Sequence, residues 1–371
     1  MNIDFDTLRR QEPDRGRLHD VFSRLEFASL MQEYLPEAPP VEKDFRIAGS
    51  AEDVREFVAA GGGGAPLGIW VESKTPDGFD EPMAISISTR PAESLIVPPP
   101  LFDALRDVLA SDRVFVAHDA KLQSRRLHAA GWPLPQRWED TMLMSYVINP
   151  GLPSHSLGNV ARDRLKQDIL SRKDVQKTAP LFAVEHEIGS SELGAYQQYL
   201  GEKSEVTMAL QGVLEPELRR DPALVDIYQR IELPLSPVLA RMEERGIRID
   251  VNLLHDMSAT MGAQIAGLES RIYKEAGTQF NINSPSQLGH ILFEKLNYPV
   301  LKKTKTKQFS TSMDVLEELA SHGFVIPQLI LEHRELHKLK STYVDALPQL
   351  VGNDGRVHTS FNQAVAATGR L

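Results

Sequence analysis

The sequence predicts an α/β domain followed by a mainly α-helical domain, and three observations carry this prediction. Between residues 44 and 120, short apolar and β-branched runs alternate with glycine and proline, which is typical of strands. After residue 230, apolar residues recur every three or four positions, as on the buried face of a helix. The charge changes as well, since residues 1–230 hold 26 Lys and Arg against 36 Asp and Glu, whereas the remainder holds 15 of each. Two modules with different tasks fit this difference.

The composition excludes several classes of protein. The 371 residues suffice for two or three domains, and 42% hydrophobic with 25% charged residues is typical of globular proteins. The absence of cysteine excludes disulfides and thiolate metal sites and suits a reducing compartment. No segment has the apolar core of a signal peptide or the roughly 20 apolar residues of a membrane span. We therefore expect a cytoplasmic protein without membrane contact.

The first half contains the strand signals. Residues 1–43 read as a polar lead-in with a helix around 18–34, and the glycine run at 61–64 reads as a flexible turn. The helix predicted in this region begins at Pro98 and runs to 109. The predicted strands are 67–71, 83–87, 94–97 and 114–117.

Helix start and stop signals follow one another in the second half. Asp, Ser and Pro are favoured where helices begin, and Gly is favoured where they end. Ser284 with Gln287 has the spacing of a capping box. The predicted helices run over 234–244 before Gly246, from Asp250 to Gly277, from Ser284 to about 296, over 315–320 after Ser312, and onward from Pro327.

A lysine cluster in this half predicts contact with a phosphate backbone. Five lysines lie within 13 residues with no carboxylate among them. Such a segment gives salt-dependent, sequence-independent binding, although a lysine-rich loop by itself is more often a solvated surface. Small hydroxyl and amide donors flank it, and such donors fix phosphate position. The cluster is Lys295, Lys302, Lys303, Lys305 and Lys307, and its flanking donors are Asn281, Asn283, Ser310 and Thr311.

A helix face further on has similar chemistry. Arg334, Lys338 and Ser341 are spaced by four and three residues and so share one face. The alternative is a solvated stripe in which these cations pair with neighbouring glutamates. His333 falls on the apolar stripe of the same helix, so we expect it to be a core residue.

Several strings in register resemble the family-A DNA polymerases of bacteria, from the thumb to the first strands of the palm. The resemblance is strong over 230–371 and weaker over 1–229. It rests on FNINSPSQL at 280–288, LFEKL at 292–296, STS at 310–312 with VLEEL at 315–319, RELHKLKSTY at 334–343, VHTSFNQ at 357–363 and ATGRL at 367–371.

The resemblance implies a domain order and a set of partners. It implies a lead-in at 1–43, an RNase H-like 3′–5′ exonuclease-like domain at 44–220, a helical thumb at 221–345 and the start of the palm at 346–371. Primer–template double-stranded DNA is the implied partner of a monomeric protein acting in replication and repair. Ser312 and Thr342 join the implied DNA contacts, and Arg370 is expected in the minor groove, where its acceptors are shared by all base pairs.

The family transfers nucleotides with palm carboxylates that hold two metal ions. The sequence ends at Leu371 without strings that resemble those motifs. We therefore expect this chain alone to bind no cofactor and to be inactive in polymerisation. Mg²⁺ and dNTPs are expected only for the full-length enzyme.

The family's exonuclease uses four carboxylates and a tyrosine. By resemblance, Glu72 and Tyr199 are retained, whereas the other three carboxylate positions hold Trp70, Gln123 and Lys203. None of these three side chains supplies a carboxylate oxygen to Mg²⁺, so the resemblance implies an inactive exonuclease domain and no metal site. Rescue by neighbouring carboxylates would need a shifted register; the candidates are Asp119, Glu202 and Glu205.

Two other functions remain open. The chain could be an active stand-alone 3′–5′ exonuclease with a basic helical clamp, which a Mg²⁺-dependent assay on single-stranded DNA would detect. It could instead be a non-catalytic DNA-binding module, for which salt-titrated binding to a primer–template is the test.

Overall fold

The computed structural model describes residues 13–25, 27, 30, 33–34, 42–74, 82–176, 191–304 and 307–371. The chain divides into two compact units. Unit 1 comprises Met1–Glu244 and Ser360–Leu371, and unit 2 comprises Arg245–Thr359. Among the described residues, no helix is both long enough and apolar enough to cross a membrane.

Unit 1 is built on a six-stranded mixed sheet of order β1-β4-β3-β2-β5-β6. Strands β2, β3 and β4 pair antiparallel, whereas β1 pairs parallel with β4, and β5 pairs parallel with β2 and β6. The strands are β1 (Asp44–Ile47), β2 (Leu67–Ser73), β3 (Pro82–Ser88), β4 (Glu93–Val97), β5 (Val114–Ala117) and β6 (Arg137–Asp140).

Helices cover this sheet, which explains why its central strands β2 to β5 are mostly apolar. The described α-helices of unit 1 are α1 (Arg15–Arg24), α2 (Ala51–Ala60), α3 (Arg106–Leu109), α4 (Ala120–Ala129), α5 (Thr141–Ile148), α6 (Leu157–Leu165), α7 (Arg172–Gln176), α8 (Ser191–Leu218), α9 (Pro222–Ile227) and α10 (Leu233–Arg245). Pro99–Leu105 forms a 3₁₀ helix before α3, and Tyr228–Glu232 a π-helical turn before α10.

The long helix α8 lies against the central strand β2 because a glycine leaves room for it. A Cβ on Gly68 would lie 2.9 Å from the Ser204 carbonyl oxygen and 2.6 Å from Met208. Farther along α8, Val206, Leu210 and Leu214 are buried with apolar residues of α5 and α6. This packing sets the helix that carries Tyr199 and Lys203 against the strand that carries Glu72.

Unit 2 is a helical assembly with one short two-stranded sheet. Its core joins apolar residues of the long helices, among them Ile272, Leu316 and Ile330. The described elements are β7 (Ile247–Arg248), α11 (Val251–Ala276), α12 (Pro285–Gly289), a π-helical turn (His290–Lys295), α13 (Met313–Ser321), α14 (Val325–Leu339), a π-helical turn (Lys340–Val344), a 3₁₀ turn (Leu347–Leu350) and β8 (Arg356–Val357).

The strand predictions for unit 1 are confirmed, and two strands of its sheet were missed, as were the short strands β7 and β8 of unit 2. Each predicted strand lies within or matches β2, β3, β4 or β5. The missed strands β1 and β6 carry charged residues and pair at the two edges of the sheet, where one side of a strand need not be apolar. Of the helix predicted over 18–34, α1 accounts for the first part, and several later residues lie outside the described ones.

Two helix-start predictions are corrected. The last long helix begins at Val325, and Pro327 lies inside its first turn, where the missing N–H has no intrahelical partner to lose. The capping box at Ser284 is only half formed: its side chain accepts from the Gln287 N–H, whereas the Gln287 side chain accepts from the Asn281 N–H. The predicted glycine stop at Gly277 is confirmed, with φ of 63°.

Candidate nucleic-acid interface and a buried charged cluster

The carboxylate of Glu72 is the centre of a buried cluster in unit 1. Glu72 lies on β2 and is only 1% exposed. Its Oε2 accepts hydrogen bonds from the Trp70 indole N–H at 2.7 Å and the Tyr199 hydroxyl at 3.2 Å. Its Oε1 lies 3.2 Å from the Arg172 guanidinium. Burial, and then the Glu72 charge, raises the pKa of Tyr199, which keeps the phenol protonated as a donor. We call Trp70, Glu72, Arg172, Tyr199 and Lys203 the Glu72 cluster.

Lys203 brings a second cation to the cluster. It follows Tyr199 by one turn of α8, and its Nζ lies 4.6 Å from the centre of the Tyr199 ring and 5.9 Å from that of Trp70. The ammonium donates to the Leu170 carbonyl at 2.8 Å. Burial lowers the pKa of Lys203 to about 8. At Trp70 and Lys203, two of the positions predicted to have lost a carboxylate, an indole and an ammonium thus lie around the Glu72 carboxylate.

The Gln123 side chain is hydrogen-bonded to the backbone of the same strand, β2. It lies on α4, is fully buried, and its Oε1 accepts from the Val71 N–H at 2.7 Å. The Arg126 guanidinium, one turn later, donates to the Val71 carbonyl. Val71 lies between Trp70 and Glu72 in β2. Gln123 therefore contacts the same stretch of β2 that holds Trp70 and that Lys203 approaches from α8.

The three carboxylates considered for rescue are engaged elsewhere. Asp119 accepts from the Leu122 N–H at 3.1 Å and caps α4. Glu202 accepts from the Leu170 N–H at 2.8 Å, and Glu205 pairs with Lys43 at 3.2 Å. Among the described residues, no group of three or more His, Cys, Asp or Glu is arranged to hold a metal ion. The residues around Glu72 therefore do not fit a two-metal centre.

Arg126 and Arg172 are the members of this region that the sequence prediction missed. Arg172 is 100 positions away from Glu72 in the chain, and no motif marks it. Only the fold brings its guanidinium to the buried carboxylate.

In unit 2 the lysine cluster lies mainly on a short hairpin. Lys303 and Phe309 form an antiparallel bridge, and the Ser310 N–H donates to the Lys302 carbonyl at 3.1 Å. Lys307 adopts φ of 64° at the turn, and its N–H donates to the Thr304 carbonyl. Lys302, Lys303 and Lys307 are exposed, whereas Lys305 lies outside the described residues. The hairpin pairing thus brings three exposed lysines close together in one short segment.

One of these cations has an acidic partner that the local sequence did not reveal. Lys302 Nζ lies 3.0 Å from Asp314 at the start of α13. Hydrogen bonds from Ser312 and from Lys302 lower the pKa of Asp314 to about 2. Both side chains are well exposed, so this ion pair is weak and a phosphate could compete for the lysine.

The small donors predicted beside the lysines divide into two groups. Asn281 and Asn283 are exposed, and the Asn281 side chain accepts from the Asn283 N–H at 3.0 Å. Ser310 and Thr311 are buried, and the Ser310 hydroxyl lies 2.9 Å from that of Ser312. The second group braces the hairpin internally.

The residues predicted to bind DNA on and after α14 also fall into an internally bonded group and an exposed group. Arg334 donates to the Thr311 carbonyl at 2.7 Å and so fastens the hairpin base to the helix. Lys338, Ser341 and Thr342 are exposed. His333 is fully buried, as predicted for a core residue. Arg370, in unit 1, is exposed. As DNA contacts, all of these residues remain predictions.

Comparison with known proteins places these features in a family. The profile of DNA polymerase family A matches residues 251–371. DNA polymerase I of Pseudomonas aeruginosa is 40% identical over 259 residues, 69% of this chain and 28% of the relative. The thermostable DNA polymerase I of Thermus aquaticus is 33% identical over 371 residues, the whole of this chain and 39% of the relative.

A solved structure of a DNA polymerase domain is also similar to this chain. The POL domain of Pol1 from M. smegmatis, in complex with DNA primer–template and dNTP, superposes with a TM-score of 0.73 at 29% identity, over 88% of this chain and 54% of that one. The chain spans less than half the length of the two curated relatives. It belongs to the bacterial DNA polymerase I family, within family A of the DNA polymerases.

Proposed function

We propose that this chain supplies the duplex grip of a template-directed DNA polymerase acting in replication and repair. The observation that carries the proposal is the hairpin of unit 2, which exposes Lys302, Lys303 and Lys307 with a single weak ion pair among the described residues. Clustered, mobile ammonium groups neutralise phosphates and release counterions without reading bases. The structural relative bound to primer–template supports double-stranded DNA as the ligand.

The exposed donors extend this surface. Asn281 and Asn283, Lys338 at the end of α14, and Ser341 and Thr342 on the π-helical turn that follows are exposed polar residues. The Ser341 hydroxyl donates to the His337 carbonyl at 2.7 Å and so offers its lone pairs, not its proton, to a ligand. Ser310, Ser312, Thr311 and Arg334 act indirectly in this proposal, because their mutual bonds hold the hairpin in place. Arg370 is proposed to enter the minor groove.

The test is binding of a labelled primer–template, followed by fluorescence anisotropy across a salt titration. Replacing Lys302, Lys303 and Lys307 together by alanine should weaken binding and lower the slope of log K against log salt by up to about 3. Arg55→Ala is the control, since Arg55 is an exposed cation on α2 paired only locally with Glu52. An unchanged slope in the triple variant would contradict the proposal.

For unit 1 we propose an RNase H-like, 3′–5′ exonuclease-like fold without exonuclease activity. The support is the Glu72 cluster, in which an indole, an arginine and a lysine occupy the surroundings of the one retained carboxylate. Phosphodiester hydrolysis by this class of site needs two metal ions held by carboxylates. The described residues contain no group of three or more His, Cys, Asp or Glu that could hold a metal ion. Incubation with single-stranded DNA and Mg²⁺ or Mn²⁺ should leave the DNA intact.

Nucleotide transfer is proposed for the whole protein and not for this chain by itself. The chain covers 28% and 39% of two polymerase relatives. In isolation it should behave as a monomeric, non-catalytic DNA-binding module, with dNTPs and Mg²⁺ belonging to the complete enzyme. A primer-extension assay with this chain should show no product while DNA binding persists.

A further inference from the structure

Unit 1 contains a cavity whose lining residues are separate from the Glu72 cluster. Its volume is about 600 Å³, and it lies between one face of α4, one face of α10 and residues 134–138 around the start of β6. All of these residues belong to unit 1. Cavities of roughly 300–1,000 Å³ are the size that small organic ligands occupy in proteins. The cavity is therefore large enough for such a ligand.

Ion pairs fix the two helices that form the walls. Glu243 of α10 pairs with Lys121 and Arg125 of α4, and its carboxylate is buried. One turn farther along α4, His128 lies 3.1 Å from Glu244. Breaking a buried pair of this kind is costly, so the spacing between α4 and α10 is set before any ligand binds. The cavity is thus a preformed part of the fold.

Much of the wall is apolar and stiff. Trp138 is half-buried, and the centre of its ring lies 6.0 Å from that of Phe115. Three prolines share the wall with it: Pro135, Pro234 and Pro237. Proline has a rigid ring and no backbone N–H, so this wall offers few backbone donors to a bound peptide. A flat apolar ring suits the wall better, because it can pack against an indole without hydrogen bonds.

Two arginines on the wall have no direct partner. Arg137 in β6 and Arg241 in α10 are exposed, and neither forms a hydrogen bond or an ion pair with another described residue. The wall cation Lys121 is balanced by Glu243. The carboxylate on the wall is that of Glu244. Two free guanidinium groups against one carboxylate make the cavity attractive to an anion.

The two guanidinium groups favour a phosphate over other anions. A guanidinium is planar and always charged, and it binds phosphate oxygens through two parallel hydrogen bonds. A phosphate monoester carries a charge of about −1.5 to −2 near pH 7, which suits two arginines on one wall. The charge of Arg137 also acts on Glu139, two residues later in β6. Glu139 does not line the cavity, however, and its carboxylate accepts the Tyr228 hydroxyl at 2.6 Å.

We propose that this cavity binds a free mononucleotide, with the base against Trp138 and the phosphate on Arg137 and Arg241. A mononucleotide combines the two properties that the wall selects, a flat ring and a phosphate monoester. Bases stack on aromatic side chains whatever their sequence, because every base has a π-face. The proposal does not rest on the DNA-binding role of the lysine hairpin, since every wall residue belongs to unit 1.

The test is calorimetric titration of the full chain with deoxyadenosine monophosphate. Deoxyadenosine and inorganic phosphate are titrated separately at equal ionic strength. We expect saturable binding of the nucleotide, and binding at least about tenfold weaker for each fragment, because one lacks the phosphate and the other lacks the base. Absence of saturable nucleotide binding, or a fragment that binds as tightly as the whole nucleotide, would overturn the proposal.

Arg137→Ala and Arg241→Ala should each weaken nucleotide binding by about tenfold, which corresponds to 1.4 kcal/mol. Both side chains are exposed, so the variants should fold as the parent does. Arg220→Ala is the matched control, since Arg220 is an exposed arginine of unit 1 that does not line the cavity. It should bind the nucleotide as the parent does. Parent-like affinity in both Arg137→Ala and Arg241→Ala would refute the site.

A second control separates the cavity from the proposed DNA grip. Replacing Lys302, Lys303 and Lys307 together by alanine should leave the affinity for the nucleotide unchanged. A loss of nucleotide binding in this triple variant would instead place the nucleotide on the hairpin and contradict the proposal.

The indole N–H signals of the three tryptophans locate the bound nucleotide. The Trp138 signal, identified by its loss in Trp138→Phe, should shift when the parent is saturated with deoxyadenosine monophosphate. Trp70 and Trp132 do not line the cavity, so their signals should stay in place. A shift of the Trp70 signal without one of Trp138 would place the ligand at the Glu72 cluster and overturn the proposal.

Discussion

The indole N–H of Trp70 donates a 2.7 Å hydrogen bond to the carboxylate of Glu72, two residues further along the same strand. Residues i and i+2 of a strand lie on the same face, so the pair points together into the space between β2 and α8. In a metal-dependent nuclease of the kind proposed, that space would hold carboxylates and Mg²⁺. Here neutral donors and cationic side chains compensate the retained charge.

Glu72→Gln should strongly destabilise unit 1. The change leaves the Arg172 guanidinium, with a side chain only 13% exposed, without its anionic partner. Breaking a buried ion pair by removing one partner costs about 3–5 kcal/mol. Urea unfolding of unit 1 measures this loss. Glu52→Gln, in the exposed pair with Arg55, is the control and should have little effect.

Divalent metal ions should not change the stability of unit 1. A resident metal would make the melting temperature fall on chelation. The Oε2 atom of Glu72 accepts from Trp70 and Tyr199, and the Arg172 guanidinium lies 3.2 Å from Oε1, so its positive charge opposes the binding of a metal ion there. Calorimetry with EDTA and with added Mg²⁺ should give superimposable transitions. A rise in melting temperature that saturates with Mg²⁺ would show that a metal site survives.

Lys203 should make stability rise with pH above about 8. Its pKa falls from 10.5 in the unfolded chain to about 8 in the folded protein. Between these values the unfolded state binds more protons, so raising the pH favours the folded state. The free energy of unfolding should therefore increase between pH 8 and 10.5 by an amount that Lys203→Met lacks. The stability difference between parent and variant, measured across this range, isolates Lys203 from the other groups, and a constant difference would contradict the prediction.

Glu243→Gln should loosen residues 360–364. The buried Glu243 carboxylate pairs with Lys121 and Arg125 of α4 and accepts the Phe361 N–H at 2.7 Å. Lys121 also donates to the Phe361 carbonyl. Without the charge, Lys121 and Arg125 lose the buried carboxylate that they share, which costs several kcal/mol. Hydrogen exchange at the Phe361 amide should accelerate markedly.

Glu244→Gln is the control for that exchange measurement. Glu244 is the next residue on α10, and its carboxylate lies 3.1 Å from the exposed His128 rather than in the pairing of Glu243 with Lys121 and Phe361. It should leave the Phe361 amide protected. Equal protection in Glu243→Gln and the parent would show that other contacts hold the segment.

Much of the fold could be predicted from local patterns. The spacing of apolar residues predicted strands β2 to β5 and the helices of unit 2, and capping residues such as Asp250 and Gly277 predicted where a helix begins and ends. Both signals act within a few residues of the chain. The edge strands β1 and β6 were not predicted from the sequence, because their residues are half exposed and their pairing partners are distant in sequence.

The candidate sites show the same division. The exposed lysines Lys302, Lys303 and Lys307 could be identified from residue types, because charge belongs to single side chains. The assignment of Trp70, Gln123 and Lys203 as substituted ligand positions stays a prediction. The pairing of Lys302 with Asp314 and the internal bonding of Arg334 with Thr311 could not be identified from residue types, since they join residues 12 and 23 positions apart.

The sequence by itself determined the family, the four central strands β2 to β5, most helices of unit 2, and which side chains carry charge. Only the tertiary structure decided that Arg172 neutralises Glu72, that Glu243 binds both Lys121 and Phe361, and that Arg334 bonds to Thr311. These depend on contacts between residues tens to more than a hundred positions apart. Such contacts form only after the chain has collapsed around the core, and no local pattern records them.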